Sequence, residues 1–267
     1  MLAVLAYRTA TVAASVLPAR TADALASAIA RAAFAARVPA RATLERNLER
    51  VLPGADAAAR RACARSSFEH FALAFARFLR DRGPASASCT TITGRAHLDA
   101  ARASGRGILV LSAHMGDWEH GAALLAAQGL RVHLAARGHA DGAVERLFAA
   151  RRSIAGVDVL PAGSLYASAA NALRRGECVA LMADRGTARS GGASVCAWAA
   201  ALAQRTHAVV LPAVCVRTPE GQALLWFEPP LTPVTCRDGA FRDTMRGWLG
   251  RWAGQWAAFE PLPEGLA

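Results

Sequence analysis

The residues of this chain best suited to chemistry are His114 and Glu119, in the stretch GILVLSAHMGDWEHGAALLAA from Gly107 to Ala127. A neutral imidazole titrates near the pH of the cell, so it can take a proton from a hydroxyl and return it to a leaving group. A carboxylate on the next turn can accept the other ring N–H, fixing the tautomer and stabilising the imidazolium that forms. Glu119 is the candidate for that part, although helix spacing alone does not guarantee contact, because His114 precedes the helix. Backbone N–H groups near Gly116 and Asp117 could stabilise an oxyanion. The same residues also suit an ordinary helix start, with a structural histidine at a strand end and acidic residues placed by capping and dipole preferences. Spacing leaves both readings open.

The elements that would position these groups follow from the hydrophobic pattern. Ile108 to Leu111 form an aliphatic block that reads as a buried strand, and Asp117 onward reads as a helix with Ala and Leu on one face. The tip between them carries His114, Met115, Gly116, Asp117, Trp118 and Glu119. In open α/β sheets, ligands sit outside the carboxyl ends of strands, so the tip is where chemistry is usually done. Alternating strands and helices from Ile108 to Asp184 predict an α/β fold, a single domain with a central mixed sheet flanked by helices.

Around that core, Ala57 to Arg80 is a long helical pattern with Phe68, Phe71, Phe75 and Phe78 at helical spacing, either packed on the core or lining a lipid-facing groove. Pro84 to Ser88 reads as a loop. Strands are expected at His207 to Val216 and Ala223 to Glu228, joined by a turn through Thr218, Pro219, Glu220 and Gly221. Arg242 to Phe259 reads as a closing amphipathic helix. Its Trp248, Trp252 and Trp256 share a face, and packing on the sheet is preferred over an interfacial belt.

Composition narrows the partners. The formal charge of +11 is carried by arginine alone, since the chain has no lysine, and 54% of residues are hydrophobic, many of them alanine. A basic surface attracts anionic headgroups and acidic carrier proteins over a Debye length of about 8 Å. Nucleic acid is not expected as a partner, because no zinc finger, helix-turn-helix or RNP-like pattern occurs. Cysteines 63, 89, 178, 196, 215 and 236 form no C-x2-C pair and read as small buried hydrophobes in a reducing compartment, although two could meet in the fold. His97, His120, His133 and His139 lack the helical spacing of a zinc motif, so no metal is expected. Gly105 and Gly107 precede their strand, which excludes a dinucleotide loop. Met1 to Leu17 is apolar but broken by Arg8 and stopped at Pro18, short of the roughly twenty residues of a span. It also lacks the early positive charge of a secretory signal.

The block H-M-G-D-W-E, preceded by GRGILVLSA and TITGRAHLDAARAS, resembles the signature of the lipid A late acyltransferases, the lauroyl and myristoyl transferase family, whose usual form is His-x-Gly-Asn-Trp-Glu. Arg46, Asn47 and Leu48 leading to Val51, Leu52 and Pro53 are similar to the family's N-terminal landmark. Leu173 to Arg185, LRRGECVALMADR, resembles its later strand ending in Ala-Asp-Arg, and Gln255 with Trp256 is similar to its terminal Gln-Trp. The landmarks run in order through nearly the whole chain.

The resemblance implies a glycerolipid-acyltransferase-like fold over residues 1–267, with a membrane-associating helical segment at 1–40 and a catalytic core at 41–267. It implies a membrane-associated O-acyltransferase at the cytoplasmic face of the inner membrane. The donor would be an acyl carrier protein or coenzyme A thioester, and the acceptor a lipid A precursor or related glycolipid on an anionic membrane surface. His114 would be the general base and Glu119 its orienter, with no cofactor. Gly116, Asp117, Arg152, Asp184 and Arg185 would bind substrate, Arg152 as the arginine of an R-x3-G element before the strand Val157 to Leu160. A thioesterase using the same dyad, or a non-catalytic lipid or carrier-protein binder, are the alternatives. Three positions depart from the family: Asp117 replaces Asn, the segment after Arg185 is short and lacks a Phe-Phe-Gly element, and His207 stands where a small residue, commonly Gly, precedes a strand.

Overall fold

Aliphatic blocks that are buried on successive residues need covering layers on both faces, and ILVLS, CVALM and VVLPAVCVR, buried throughout or at all but their end residues, are such blocks. They form the middle of a seven-stranded sheet in a computed structural model that describes residues 2–80, 90–136, 138, 141–185 and 195–262. The loop expected at Pro84 to Ser88, Cys89, His139 and the segment immediately after Arg185 lie outside the described residues.

Four helices come first: α1 (Leu2–Val16), α2 (Ala19–Ala35), α3 (Pro39–Val51) and α4 (Ala57–Arg80). Then β1 (Thr90–Thr93), α5 (Arg95–Ala103), β2 (Ile108–Ser112), α6 (Trp118–Ala127), β3 (Val132–Ala135), α7 (Gly142–Ile154), β4 (Val157–Val159), α8 (Leu165–Arg174) and β5 (Cys178–Met182) alternate. After α9 (Val195–Thr206) come the paired strands β6 (Val209–Arg217) and β7 (Ala223–Phe227), and α10 (Pro233–Arg237) and α11 (Ala240–Trp252) follow. The sheet order is β1-β7-β6-β2-β5-β3-β4, with every pairing parallel except β6 against β7. The expected mixed sheet flanked by helices is therefore present as a single α/β domain.

Side-chain alternation splits the core between the two faces of the sheet. Leu109 and Leu111 of β2, with Val179, Leu181, Val210 and Val214, face α8, α9, α11 and the N-terminal helices. Ile108 and Val110, with Ala180, Leu211 and Cys215, face α5 and α6. The Phe residues of α4 pack inward only in part. Phe68 is buried and meets Phe34 and Phe259, whereas Phe71, Phe75 and Phe78 are at least partly open. Among the described residues, no helix is long and apolar enough to cross a membrane.

Several element ends differ from those expected from the sequence. The strand after α9 begins at Val209, not His207, because His207 turns the chain with φ 56°. A positive φ is the conformation glycine adopts without penalty, which accounts for a small residue being usual there. Val157 to Val159 makes β4, and Leu160 leaves it. The closing helix stops at Trp252 instead of Phe259: Ala253–Gln255 is a 3-10 turn, and the chain then runs extended with Trp256 bridged to Met115. Gly254 sits so close to Ser66 of α4 that a Cβ would lie 2.9 Å from its Oγ. The indole of Trp256 is committed elsewhere, as described next.

Candidate active site

β2 and β5 are parallel neighbours in register from Ile108 opposite Cys178 to Ser112 opposite Met182. Two residues beyond each strand, His114 and Asp184 therefore emerge side by side at the carboxyl edge of the sheet. The ring Nδ1–H of His114 donates to Asp184 Oδ1 at 2.8 Å, and the His114 backbone N–H donates to Oδ2 at 3.0 Å. The indole Nε1–H of Trp256 donates to the same Oδ2 at 3.0 Å. Asp184 is fully enclosed, while the His114 side chain keeps 19% of its surface open. Burial on its own would raise the carboxyl of Asp184. The attraction of His114 and the hydrogen bonds from its ring, from Trp256 and from the His114 backbone outweigh that and hold it below its ordinary value. An ionised Asp184 is an acceptor only, so the His114 proton sits on Nδ1 and its Nε2 lone pair is directed away from the carboxylate.

Glu119 is not the partner of His114. Its carboxylate is taken by Arg152 of α7, with Nε donating to Oε2 at 3.0 Å and Nη2 to Oε1 at 2.6 Å, both side chains being mostly buried. Burial would lower the guanidinium of Arg152, but the bonds to Glu119 and the attraction of that carboxylate raise it. Arg152 is thus fixed by Glu119, with its guanidinium 5.5 Å from the ring centroid of Phe148, instead of standing as a free anion binder. The pair braces α6 against α7 at the rim of the site.

The tip loop itself is locked by backbone bonds. Gly116 N–H donates to the Gln255 carbonyl at 2.9 Å and Asp117 N–H to the Cys215 carbonyl at 2.8 Å, so neither is available to an oxyanion, contrary to the sequence reading. Gly116 has φ 63°, and a Cβ there would overlap the Cys215 carbonyl oxygen. Asp117 precedes α6 but makes no side-chain cap. Its buried carboxylate instead accepts from Arg217 Nε at 2.6 Å, is in close contact with Arg217 Nη2, and faces Arg77 Nη1 at 3.5 Å. The substitution of Asp for Asn in the motif is thus accompanied by two guanidinium groups. Arg185 lies beside the dyad, with Nη1 donating to Glu260 at 3.2 Å and Nη2 to the Ala257 carbonyl at 3.3 Å.

A strap formed by residues 255–257 ties these parts together. Ala257 N–H donates to the His114 carbonyl at 2.7 Å, and the side chain of Gln255 exchanges two bonds with the backbone of Arg217, at 2.7 and 2.9 Å. Next to His114, the ring of Trp118 stands edge-on at 5.3 Å and stacks with Phe71 at 6.1 Å. Behind Trp118, between α6 and the sheet, lies a cavity of about 30 Å³ lined by Leu125, Leu134, Met182 and Cys215 among others. Among the described residues, no three His, Cys, Asp or Glu side chains gather to hold a metal ion. Cys63, Cys178, Cys196, Cys215 and Cys236 are free thiols, and burial pushes that of Cys178 up to about 12.

The structure thus brings His114, Asp184 and Trp256 into one hydrogen-bonded group and sets Glu119 with Arg152, and Asp117 with Arg217, beside it. From sequence, Asp184 is expected only as a substrate-binding residue, through the family resemblance, and Arg217 does not stand out. The available signal for Asp184 was its position: it follows an aliphatic strand by two residues, just as His114 does. Comparison with curated proteins gives no match. A family model, described as bacterial lipid A biosynthesis acyltransferase, matches residues 2–240.

Proposed function

Because the chain belongs to the bacterial lipid A biosynthesis acyltransferase family, we propose that it moves a fatty acyl group from an acyl carrier protein or coenzyme A thioester to a hydroxyl of a lipid A precursor or related glycolipid. The observation that carries the mechanism is the 2.8 Å bond from His114 Nδ1 to the enclosed carboxylate of Asp184. With the proton held on Nδ1, Nε2 accepts the proton of the acceptor hydroxyl as its oxygen attacks the thioester carbonyl. The imidazolium that forms is stabilised by Asp184 across a low-dielectric contact. When the tetrahedral intermediate collapses, the C–S bond breaks, the C–O ester remains, and the imidazolium returns the proton to the departing thiolate. Glu119, Arg152, Asp117 and Arg217 position the tip from which His114 projects.

Peripheral binding at the cytoplasmic face of the inner membrane is part of this reading. It is supported by the exposed Val12 and Val16 on α1 and Leu25 and Ile29 on α2, together with the net charge of +11. The test is a product assay. Purified protein with an acyl carrier protein thioester and a phosphorylated glycolipid should give the acceptor plus one acyl mass, and His114→Ala should abolish that product. Turnover retained in His114→Ala would overturn the mechanism, and free fatty acid formed equally with and without acceptor would make the protein a hydrolase.

A further inference from the structure

We propose that the groove between α1 and α7 is a binding site for the phosphate head of an amphiphile whose hydrocarbon lies on the aromatic strip leading to His114. The groove encloses about 240 Å³ and is lined by Tyr7, Arg8, Ala143, Val144, Arg146 and Leu147. Its lining is amphipathic, combining two arginines with Ala143, Val144 and Leu147. Arg8 and Arg146 are exposed, and neither makes an ion pair or hydrogen bond among the described residues. Most of the arginines near the catalytic tip are committed: Arg152 to Glu119, Arg217 and Arg77 to Asp117, Arg80 to Asp23 and Arg185 to Glu260. Two guanidinium groups beside one concavity, both without a partner among the described residues, match the charge of a phosphate monoester and can supply the N–H donors its oxygens accept.

The groove also connects to the dyad. Tyr7, on its wall, meets the ring of Phe148 at 5.8 Å and that of Phe75 at 5.7 Å. Phe75 stacks on Phe71 at 6.2 Å, Phe71 on Trp118 at 6.1 Å, and Trp118 touches His114. These rings come from α1, α4, α6 and α7, and of them only Phe148 is buried. A half-open row of aromatic faces between a cationic groove and a general base suits an amphiphile with an anionic head and an apolar body. This inference rests on the proposed function, since it gives that reaction's lipid a place to lie.

The experiment uses the full chain and dodecyl phosphate below its micellar concentration as probe, with dodecyl maltoside as the neutral control, by titration calorimetry. The parent should prefer dodecyl phosphate by about tenfold or more, with the preference shrinking as salt rises. Arg8→Ala with Arg146→Ala should remove the preference, and Arg8→Lys with Arg146→Lys should keep most of it. Arg65→Ala with Arg205→Ala, which removes two exposed charges elsewhere, should leave it intact. No preference in the parent, or equal loss in that control pair, would overturn the site. Coenzyme A binding that depends equally on Arg8 and Arg146 would assign the groove to donor phosphates and overturn the amphiphile. His114→Ala should bind dodecyl phosphate like the parent, so a failure of the acyl-transfer mechanism is read separately.

Discussion

Replacing Asp184 with asparagine should silence the enzyme by moving one proton. The carboxylate accepts three donors: the His114 ring at Oδ1, and both the His114 backbone N–H and the Trp256 indole at Oδ2. An amide offers one oxygen and one NH2 group. With NH2 in the Oδ2 position, two donors would face a donor, and each such buried mismatch costs about 1–3 kcal/mol. With NH2 in the Oδ1 position, only the imidazole is affected, and it can adapt by shifting its proton to Nε2. The second arrangement is preferred by the cost of one mismatch or more. It leaves Nε2 protonated and unable to accept from a hydroxyl, as in the serine protease triad, where this change lowers kcat by on the order of 10⁴, or about 5 kcal/mol of barrier. Acyl transfer followed by mass spectrometry measures the loss, and ¹⁵N NMR of the imidazole reads the tautomer. Glu119→Gln is the matched control. It breaks a bidentate, mostly buried pair with Arg152, so it should lower stability by about 3 kcal/mol while the proton stays on Nδ1. Activity of Asp184→Asn within tenfold of the parent, or a tautomer switch produced by Glu119→Gln instead, would refute the assignment of Asp184 as the orienting carboxylate.

Gly116→Ala should cost about 3 kcal/mol or more in urea unfolding, since alanine at φ 63° is strained and its Cβ overlaps the Cys215 carbonyl; a stability equal to the parent's would mean that the tip loop is not locked to β6. Acid should weaken the fold at Glu177, whose carboxyl is drawn from 4.5 down to about 2, chiefly by its hydrogen bond from Arg175 and further by that from His133. A carboxylate with a depressed pKa contributes stability that is complete above about pH 4.5 and is lost as pH falls toward about 2. Urea unfolding at pH 5 and pH 3 should accordingly show a smaller drop for Glu177→Gln than for the parent.

The strand at Ile108, the helix after Asp117 and the whole of α4 were legible because each rests on local periodicity over its own residues. His114 was legible as well, since the end of an aliphatic strand is a property of the neighbouring sequence. What joins His114 was not. Glu119 lies five residues away, but its acceptor pair is set by Arg152, which α7 brings from 33 residues further on. Asp184 meets the imidazole because β5 is the strand inserted beside β2, and strand order is a tertiary fact that no window of sequence contains. Trp256 shows the opposite hazard. Its spacing from Trp248 and Trp252 fits one helical face, yet tight packing at Gly254 and the bridge to Met115 end the helix before it. Asp117 has the type and place of a helix cap, and two distant arginines redirect its charge.

The strap at residues 255–257 also sets an order of events during synthesis. His114 and Asp184 follow strands that a growing chain can pair once β5 has emerged, but the Trp256 donor to Asp184 and the Ala257 bond to His114 come from more than seventy residues later. Of the three donors to Asp184, the indole is therefore the last to be synthesised, and a chain ending before Trp256 would keep both His114 donors and lose the indole.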